Sequence, residues 1–217
     1  KTFDQRANGY VRAEGTGAAL LKRVSSLGGR AAQALLGAVA VNHDGRSASL
    51  TAPNGPAQQA VILGALRQAG STAAELAFID CHGTGTSLGD PIEFSALRSV
   101  LESARADQRS TLVGAIKSSM GHLEGAAGMA GMLQAVLVLR HAEAPPNLHF
   151  QRRNPNVDVE GFPVSLPSQC TPRAALSSLV ASCSSFGFSG TNTHCVVRPA
   201  TQAMPLLRAA NPSHRLA

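Results

Sequence analysis

The sequence predicts a layered α/β fold, because short apolar runs of strand length alternate with patterns that are typical of helices. Ala34–Val41 and Leu76–Asp80 are such runs, and turn or glycine-rich residues and then a helical pattern follow each of them. The chain has 217 residues, of which 44% are hydrophobic, so it can form one large domain or two small ones. No internal repeat of short period is evident.

The first predicted elements precede residue 70. Gly15–Arg23 is interpreted as a buried strand or short apolar segment, followed by a loop at Ser25–Arg30. Ala34–Val41 is a strand that ends in the turn Asn42–Gly45. After a loop at residues 50–56, Pro56 suits the first turn of a helix that extends to about residue 69.

The middle of the chain contains a strand, a glycine-rich loop and a helix in direct succession. Leu76–Asp80 is the strand, and His82–Gly89 is the loop. Asp90 is expected to cap the helix, with Pro91 at its first position and Glu93 in its first turn.

Another strand and a long helix are predicted beyond residue 110. Leu112–Ile116 is of strand length, and Gly121–Arg140 has a helical pattern. The helix contains Gly125, Gly128 and Gly131, which alternate with alanines. We interpret these glycines as positions of close backbone packing against a neighbour.

The last part of the chain is mostly irregular. Pro145–Pro172 is rich in proline, Ser178–Ser182 resumes as a strand, and Phe186–Asn192 forms a glycine-rich turn. Cys195–Val197 is the strand that leaves this turn. The residues from Pro199 onward have little periodicity and are expected to be a linker or disordered.

The composition disfavours several classes of function. The formal charge is +6, but the positive residues are scattered, and one Tyr and no Trp are available for base stacking, so we expect no nucleic-acid partner. The same charge could meet an acidic carrier protein, or serve no particular partner. No apolar run reaches the roughly 20 residues of a membrane helix, since Met129–Leu139 is too short. No targeting segment is visible, and a cytoplasmic protein whose true N-terminus lies upstream of Lys1 is expected.

The four cysteines show no paired spacing. Cys81, Cys170, Cys183 and Cys195 match neither a zinc site nor a disulfide framework, so free and mostly buried thiols are expected.

Three glycine-containing loops carry the candidate chemistry, because loops at strand ends are where reacting groups collect in α/β folds. They are Cys81–Glu93, Lys117–Gly128 and Ser185–His194. Each histidine alone could be structural, and a zinc site formed by the three would need a convergence that spacing does not show, so no metal is expected. A phosphate-binding loop is disfavoured, because the Gly-Lys-Ser/Thr ending of a P-loop is absent.

Taken together, these loops and two further stretches resemble the β-ketoacyl synthase family, and its type I polyketide synthase branch more closely than the free-standing fatty-acid enzymes. The resemblance extends from Lys1 to about Val197. The matching stretches are Phe3–Gly17 (FDQRANGYVRAEGTG), Val41–Pro56 (VNHDGRSASLTAPNGP), His82–Glu93, Lys117–Gly128 and Ser184–His194.

The resemblance implies a thiolase-like layered αβαβα fold, a duplicated α/β half. Residues 1–33 would be the end of the N-terminal half, residues 34–198 the C-terminal half, and residues 199–217 the linker or tail. The resemblance also implies an acyltransferase that performs a decarboxylative Claisen condensation in polyketide or fatty-acid biosynthesis. Malonyl or methylmalonyl would arrive on the phosphopantetheine arm of an acyl carrier protein, with no cofactor bound directly.

Residue roles follow from the same resemblance. His82 and His122 would stabilise the enolate as neutral donors, with Lys117 as an orienting charge nearby. Thr84 and Thr86 match residues that hydrogen-bond the phosphopantetheine arm.

Phe188 matches a gatekeeping position whose backbone N–H completes an oxyanion hole, and Gly187 before it would act as a hinge. The structural roles are assigned to Glu124, in the network of Lys117, and to Asp90, Glu93 and Asn192.

The resemblance also implies that the nucleophilic cysteine precedes Phe3 and is absent from this chain. Ala181–Ser185 (ASCSS) is similar to the missing motif, but it leads directly into Phe186 without a helix that would lower a thiol pKa. Replacing Cys183 or Cys81 by Ala is therefore expected to leave acyl loading unchanged.

The implied partners are the missing N-terminal half and, in the complete enzyme, a second copy that forms a homodimer. The isolated chain is expected to be inactive and to expose an apolar face. Two alternatives remain open: a non-catalytic module that binds acyl carrier protein, and a thiolase relative that acts on coenzyme A. The two-histidine loops do not suit the second alternative.

Overall fold

The structure is a computed structural model that describes residues 1–27, 32–46, 52–102, 110–161, 163–172 and 179–200. Within these residues the helices and strands follow in an alternating order, which confirms the predicted α/β class. In chain order they are β1 (Leu35–His43), α1 (Gly55–Gln68), β2 (Leu76–Asp80), α2 (Gly89–Glu102), β3 (Thr111–Gly114), α3 (Lys117–Met120), α4 (Ala127–His141), β4 (Glu143–Ala144), β5 (Val164–Ser165), β6 (Thr171–Pro172), β7 (Val180–Phe186) and β8 (Thr191–Arg198).

A mixed six-stranded sheet forms the centre, with the strand order β1-β8-β7-β2-β3-β5. The strands β7, β2, β3 and β5 are parallel, whereas β8 is antiparallel to both of its neighbours, β1 and β7. The short strands β4 and β6 pair separately. Because β2 and β3 are parallel neighbours, the loops that follow them emerge at the same edge of the sheet.

Helices cover both faces of the sheet. Ile79 packs with α1 and α2 on one face, whereas its neighbour Phe78 packs with α4 on the other, as the alternation of a strand requires. All five residues of β2 are buried. Burial of each large apolar side chain stabilises the fold by about 1.5–3 kcal/mol relative to exposure.

Most of the sequence-based boundaries agree with the structure to within a few residues. β2 is confirmed at both ends, and α1 begins one residue before Pro56. β1 continues through the predicted turn to His43, because Asn42 and His43 pair with residues of β8. The turn between β7 and β8 is confirmed, whereas residues 201–217 of the predicted tail lie outside the described residues.

Of the two interpretations of Gly15–Arg23, a buried strand or a short apolar segment, the buried strand is wrong for this chain. The segment has no strand structure, and the side chains of Leu20 and Leu21 are 87% and 70% exposed. The apolar pattern is real, but no layer of the described residues covers it.

The long helix predicted from Gly121 begins later, at Ala127. Gly121 and Glu124 both have a positive φ, of 78° and 50°, which interrupts a helix. The short helix α3 precedes this interruption. The predicted helix therefore included, at its start, the turn that separates α3 from α4.

Close packing of the alternating glycines is confirmed at two of the three positions. A Cβ atom on Gly131 would lie 2.2 Å from Asp80 Oδ2, and one on Gly128 would lie 3.1 Å from Ser185 Oγ. A Cβ atom on Gly125 would meet nothing within 4 Å, so the interpretation is wrong there.

The N-cap assigned to Asp90 is also wrong. α2 begins at Gly89, so Asp90 lies inside the first turn. Its carboxylate instead accepts the backbone N–H groups of Phe3 and Gly85, both at 2.9 Å. The Thr86 hydroxyl accepts the Gly89 N–H at 3.0 Å and thus satisfies one donor of the helix start.

None of the helices among the described residues is both long and apolar enough to cross a membrane.

Candidate active site

Two histidine rings meet at the carboxyl edge of the sheet. His82 follows β2, and His122 belongs to the segment that follows β3 and α3. Their ring centroids are 5.5 Å apart, and the ring planes are nearly perpendicular, at 85°. The Phe186 ring lies 5.6 Å from His82 at the end of β7. Three neighbouring parts of the sheet therefore converge on the pair.

Backbone N–H groups fix the tautomer of both rings. The Phe186 N–H donates to His82 Nδ1 at 3.3 Å, and the Glu124 N–H donates to His122 Nδ1 at 2.8 Å. Because Nδ1 is an acceptor in both cases, each neutral ring carries its proton on Nε2. The site thus contains two imidazole N–H donors.

Both rings are held in the neutral form. Burial, followed by the charge of Lys117, lowers the pKa of His82 well below its usual range. The same two causes, in the same order, lower the pKa of His122. Lys117 is the first residue of α3, and it is buried and does not line the cleft.

Glu93 holds the backbone of the His82 loop. Its two carboxylate oxygens accept the N–H groups of His82 at 2.7 Å and of Gly83 at 2.8 Å. The loop can fold over this carboxylate because Gly83 and Gly85 adopt positive φ angles of 46° and 72°. Burial raises the pKa of Glu93 to about 7, although its two backbone hydrogen bonds oppose the shift.

The N-terminal segment packs against the His122 loop. His122 exchanges backbone hydrogen bonds with it, donating to Val11 O at 2.8 Å and accepting from Ala13 N–H at 3.0 Å. The Tyr10 ring lies 5.0 Å from the His122 ring. Tyr10 belongs to the stretch Phe3–Gly17 that resembles the family, but no site role was predicted for it.

Glu124 lies at the surface, rather than in a side-chain network with Lys117. Its carboxylate forms an exposed ion pair with Arg12, with Arg12 Nε 3.0 Å from Glu124 Oε1. Such an exposed pair contributes little stability. The connection of Glu124 to the histidine pair runs through its backbone N–H, which bonds His122.

A cleft of about 660 Å³ opens above the two histidines. It brings together all of the residues predicted to bind substrate, together with Glu93, Glu124 and Asn192. The predicted residues that line it are His82, His122, Thr84, Thr86, Gly187 and Phe188. The hydroxyls of Thr84 and Thr86 lie 3.3 Å apart, and Phe188 is 78% exposed at the tip of its turn.

Asn192 anchors the turn that carries Phe188. Its side-chain amide donates to Asp44 Oδ1 at 2.6 Å and to Asn42 Oδ1 at 3.2 Å. The Asp44 backbone N–H donates in turn to Gly190 O at 2.8 Å. The turn is therefore tied to the end of β1 on one side, while its tip remains exposed.

No cysteine of the chain lines the cleft, all four being among the described residues. Cys183 lies within β7 and has no helix after it, as the sequence predicts. A hydrogen bond with the Cys195 thiol and burial raise the pKa of Cys183 well above its usual range. Burial, reinforced by Glu93, does the same to the pKa of Cys81. Neither thiol is activated as a nucleophile.

His194 lies apart from the other two histidines. It is buried in β8, with its Nδ1 2.9 Å from Ser184 Oγ, and it does not line the cleft. Burial lowers the pKa of His194 to about 3. The three histidines considered for a zinc site are thus not brought together, and the described residues contain no group of three possible ligands.

Asp80 is a buried acidic residue that was not predicted as part of the site from the sequence. It ends β2 with 1% exposure, and burial raises its pKa to about 7, although the charge of Lys117 opposes the shift. The available signal was a single acidic residue at the end of the apolar run LAFID.

A second, apolar groove of about 510 Å³ runs along α4, away from the histidines. It is lined by Leu133 and Leu137 of α4 and by Gly15–Gly17 of the exposed N-terminal segment.

Comparison with known proteins agrees with this architecture. The sequence profile described as "Beta-ketoacyl synthase, C-terminal domain" matches residues 33–151. Erythronolide synthase EryA3 of Saccharopolyspora erythraea is 45% identical over 212 residues, which cover 94% of this chain and 6% of that protein. Polyketide synthase GfsA of Streptomyces halstedii is 43% identical over 205 residues, which cover 92% of this chain and 3% of that protein. The chain thus spans only a small part of these curated relatives.

Solved ketosynthase structures have the same fold. A ketosynthase from module 1 of the bacillaene synthase of Bacillus amyloliquefaciens superposes with a TM-score of 0.88 at 36% identity, over 94% of this chain and 39% of that one. The oxazolomycin ketosynthase domain OzmH KS7 of Streptomyces albus superposes with a TM-score of 0.86 at 36% identity, over 97% of this chain and 37% of that one. The chain therefore belongs to the β-ketoacyl synthase family, as the C-terminal domain of a thiolase-like ketosynthase of the type I polyketide synthase kind.

Proposed function

We propose that this chain forms the decarboxylation and carrier-binding side of a β-ketoacyl synthase site in polyketide or fatty-acid biosynthesis. The reaction would be the decarboxylative Claisen condensation of an acyl thioester with a malonyl or methylmalonyl thioester. The observation that carries the proposal is the pair of neutral Nε2–H donors, on His82 and His122, that face one cleft.

The two donors suit the charge that develops in the reaction. When the bond from the extender carbon to its carboxylate breaks, carbon dioxide leaves and the electron pair moves onto the thioester oxygen. Two N–H groups aimed at that oxygen stabilise the enolate without rearranging during the reaction. The enolate carbon then attacks the acyl thioester, and the thiolate that held the acyl chain is released.

Lys117 supports the donors by its charge rather than by contact with substrate. Burial and, after it, the charge of Lys117 lower the pKa of both imidazoles, so Lys117 favours their neutral form. The same positive charge stabilises a nearby enolate. Glu93 contributes by holding the backbone of the His82 loop.

Thr84 and Thr86 would receive the phosphopantetheine arm of an acyl carrier protein, and no cofactor would be bound directly. Their hydroxyls lie on the cleft wall, and a bound arm can compete for the weak hydrogen bond between them, since the two oxygens are 3.3 Å apart. Phe188 and Gly187, on the exposed turn, would control access to the cleft.

The nucleophilic cysteine would come from a part of the ketosynthase outside this chain. The buried positions and raised pKa values of Cys81 and Cys183 support this, as does the share of 37–39% that the chain covers in solved ketosynthases. The N-terminal half of the same ketosynthase would cover the apolar groove along α4 and the exposed Gly15–Arg23 segment. The isolated chain would then be inactive, and the complete enzyme would be a homodimer.

The test measures decarboxylation of malonyl-carrier protein by the intact ketosynthase that contains this chain. His82→Ala and His122→Ala should each lower kcat by about 10²–10³-fold, since each removes one donor to the enolate oxygen. His149→Asn is the matched control, because His149 is exposed, has a positive φ that Asn tolerates, and lies outside the cleft.

A kcat within threefold of wild type in both histidine variants would refute the proposal. Carrier-protein binding without decarboxylation in the wild-type enzyme would also refute it, and would favour the non-catalytic module instead.

A further inference from the structure

Asp80 connects the two strand ends from which the histidine loops emerge. It is the last residue of β2, and its register partner on β3 is Gly114. Its Oδ1 accepts the backbone N–H of Ile116 at 2.8 Å, across 36 residues of sequence. Ile116 directly precedes α3, which begins with Lys117 and leads to His122. The carboxylate of Asp80, two residues before His82, is thus hydrogen-bonded to the start of the segment that leads to His122.

Besides this bond, the turn after β3 is held by one backbone bond to the residue after β2, since the Cys81 N–H donates to Gly114 O at 2.8 Å, and by the side chain of Asn147. The Asn147 side chain holds the other side of the turn, accepting Ala115 N–H at 3.1 Å and donating to Val113 O at 3.0 Å. Asp80 therefore supplies the one side-chain bond, among the described residues, that joins this turn to β2.

The other oxygen of Asp80 is held by close packing. Oδ2 lies 3.9 Å from Cys183 Sγ on β7 and 2.2 Å from the position that a Cβ on Gly131 would occupy. The carboxylate can fit between the sheet and α4 only because Gly131 has no side chain. The position of Oδ1, and with it the bond to Ile116, is therefore fixed from two sides.

Charged and titratable groups surround this carboxylate. Burial raises the pKa of Asp80, and Lys117 of α3 and Cys183 of β7 both lower it, though less strongly. The Cys195 thiol of β8 is hydrogen-bonded to Cys183. Cys81 lies between Asp80 and His82 in the sequence, and its pKa is raised by burial, then by Glu93 of α2 and by Asp80 itself. Because the positive charge of Lys117 opposes the shift that burial causes in the pKa of Asp80, Lys117 is the cation that acts on this side chain.

We infer that Asp80 is a positioning residue for the decarboxylation site: its bond to the Ile116 N–H holds the His122 loop at the correct distance from His82. The inference rests on the proposed function of the two histidines. Without the bond the two loops could separate, and a displacement of about 1 Å in a catalytic group can lower a rate by about 10²-fold.

Three variants of the intact ketosynthase separate the hydrogen bond from the volume of the side chain. Asp80→Asn retains an oxygen acceptor for Ile116 and nearly the same volume. Asp80→Ala removes both the acceptor and the volume. Asp80→Ala combined with Gly131→Ala removes the acceptor but returns a methyl group to the space that the carboxylate occupied. Each is assayed for kcat and KM of malonyl-carrier decarboxylation and for its unfolding temperature.

The expected result is a dissociation between activity and stability. Asp80→Ala should lower kcat by 10–100-fold with KM within threefold of wild type, since the residues that line the cleft are unchanged. Asp80→Asn should recover kcat to within fivefold of wild type. The double variant should recover the unfolding temperature but not kcat, which a role in packing alone would not produce.

Two outcomes would overturn the inference. Recovery of kcat in the double variant would show that filled volume is sufficient, and an equal loss in Asp80→Asn and the double variant would show that the acceptor is not what matters. If Asp80→Ala does not fold, the comparison of Asp80→Asn with the double variant still tests the inference. His82→Ala is measured beside them. If this variant retains decarboxylation, the proposed function fails. If it loses decarboxylation while the double variant remains active, only the role of Asp80 is refuted.

Discussion

The glycines of the 125–131 stretch provide a graded test of how closely α4 packs against the sheet. We expect Gly131→Ala to destabilise the intact ketosynthase, Gly128→Ala to change it little, and Gly125→Ala to stabilise it slightly. The three changes add the same methyl group within seven residues, and what that methyl group meets differs from one position to the next.

The magnitudes follow from the distances. At Gly131 the new Cβ would lie 2.2 Å from Asp80 Oδ2 and 2.5 Å from Cys183 Sγ, both far inside van der Waals contact and both on buried groups. Overpacking of this kind costs about 1–3 kcal/mol. At Gly128 the nearest atom is Ser185 Oγ at 3.1 Å, which a small rotation can relieve. At Gly125 the methyl group meets nothing within 4 Å, so the reduced freedom of the unfolded chain should stabilise by about 0.4–1 kcal/mol.

The assay is thermal and urea-induced unfolding of the three variants and wild type under one set of conditions, read as differences in midpoint. Adding Cys183→Ala to Gly131→Ala should recover part of the loss, because it removes the sulfur at 2.5 Å. Equal midpoints for the Gly131 and Gly125 variants would refute the packing argument, as would a Gly125 variant less stable than the Gly131 variant.

Two further predictions concern pH. Burial lowers the pKa of His194 to about 3, against about 6.5 in an unfolded chain, so the unfolded state binds the proton more readily. The neutral ring therefore contributes fully to the free energy of unfolding above pH 6.5, and this contribution is lost as the pH falls towards 3. At pH 5 the loss is about 2 kcal/mol. His194→Gln should therefore flatten the fall in unfolding free energy between pH 7 and pH 5, and an unchanged slope would contradict the assignment. Lys117→Met removes a charge that lowers the pKa of His82 and His122, so the acidic limb of the pH profile of decarboxylation should move to higher pH. A pH–rate series measures this, and a limb that stays in place or moves to lower pH would contradict the through-space role of Lys117.

The elements that could be predicted from the sequence are those that other elements of this chain cover. β2 could be recognised because all five of its residues are buried by layers that this chain supplies. Gly15–Arg23 has the same apolar character but lies exposed, because a pattern indicates which residues are suited to burial and not which layer covers them. Asp90 shows the converse: its position suits a cap, but bonds to Phe3 and Gly85 engage its carboxylate elsewhere.

The candidate site could be predicted in its residues but not in its connections. The resemblance identified His82 and His122, and the structure places both on one cleft. The bond from Phe186 N–H to His82 spans 104 residues, and the bond from Ile116 N–H to Asp80 spans 36. Local rules describe neighbours within a turn or a helix, so contacts at these separations have no signal in spacing.

Main-chain donors orient both imidazoles, and this has a consequence for how freely the surrounding sequence can vary. A substitution at residue 124 or 186 replaces a side chain but leaves the N–H that bonds the ring, with proline as the exception. The proton on each Nε2 is therefore protected from most single-codon changes at the positions that secure it. Variation at these two positions can therefore alter the walls of the cleft while the orientation of both imidazole rings is kept.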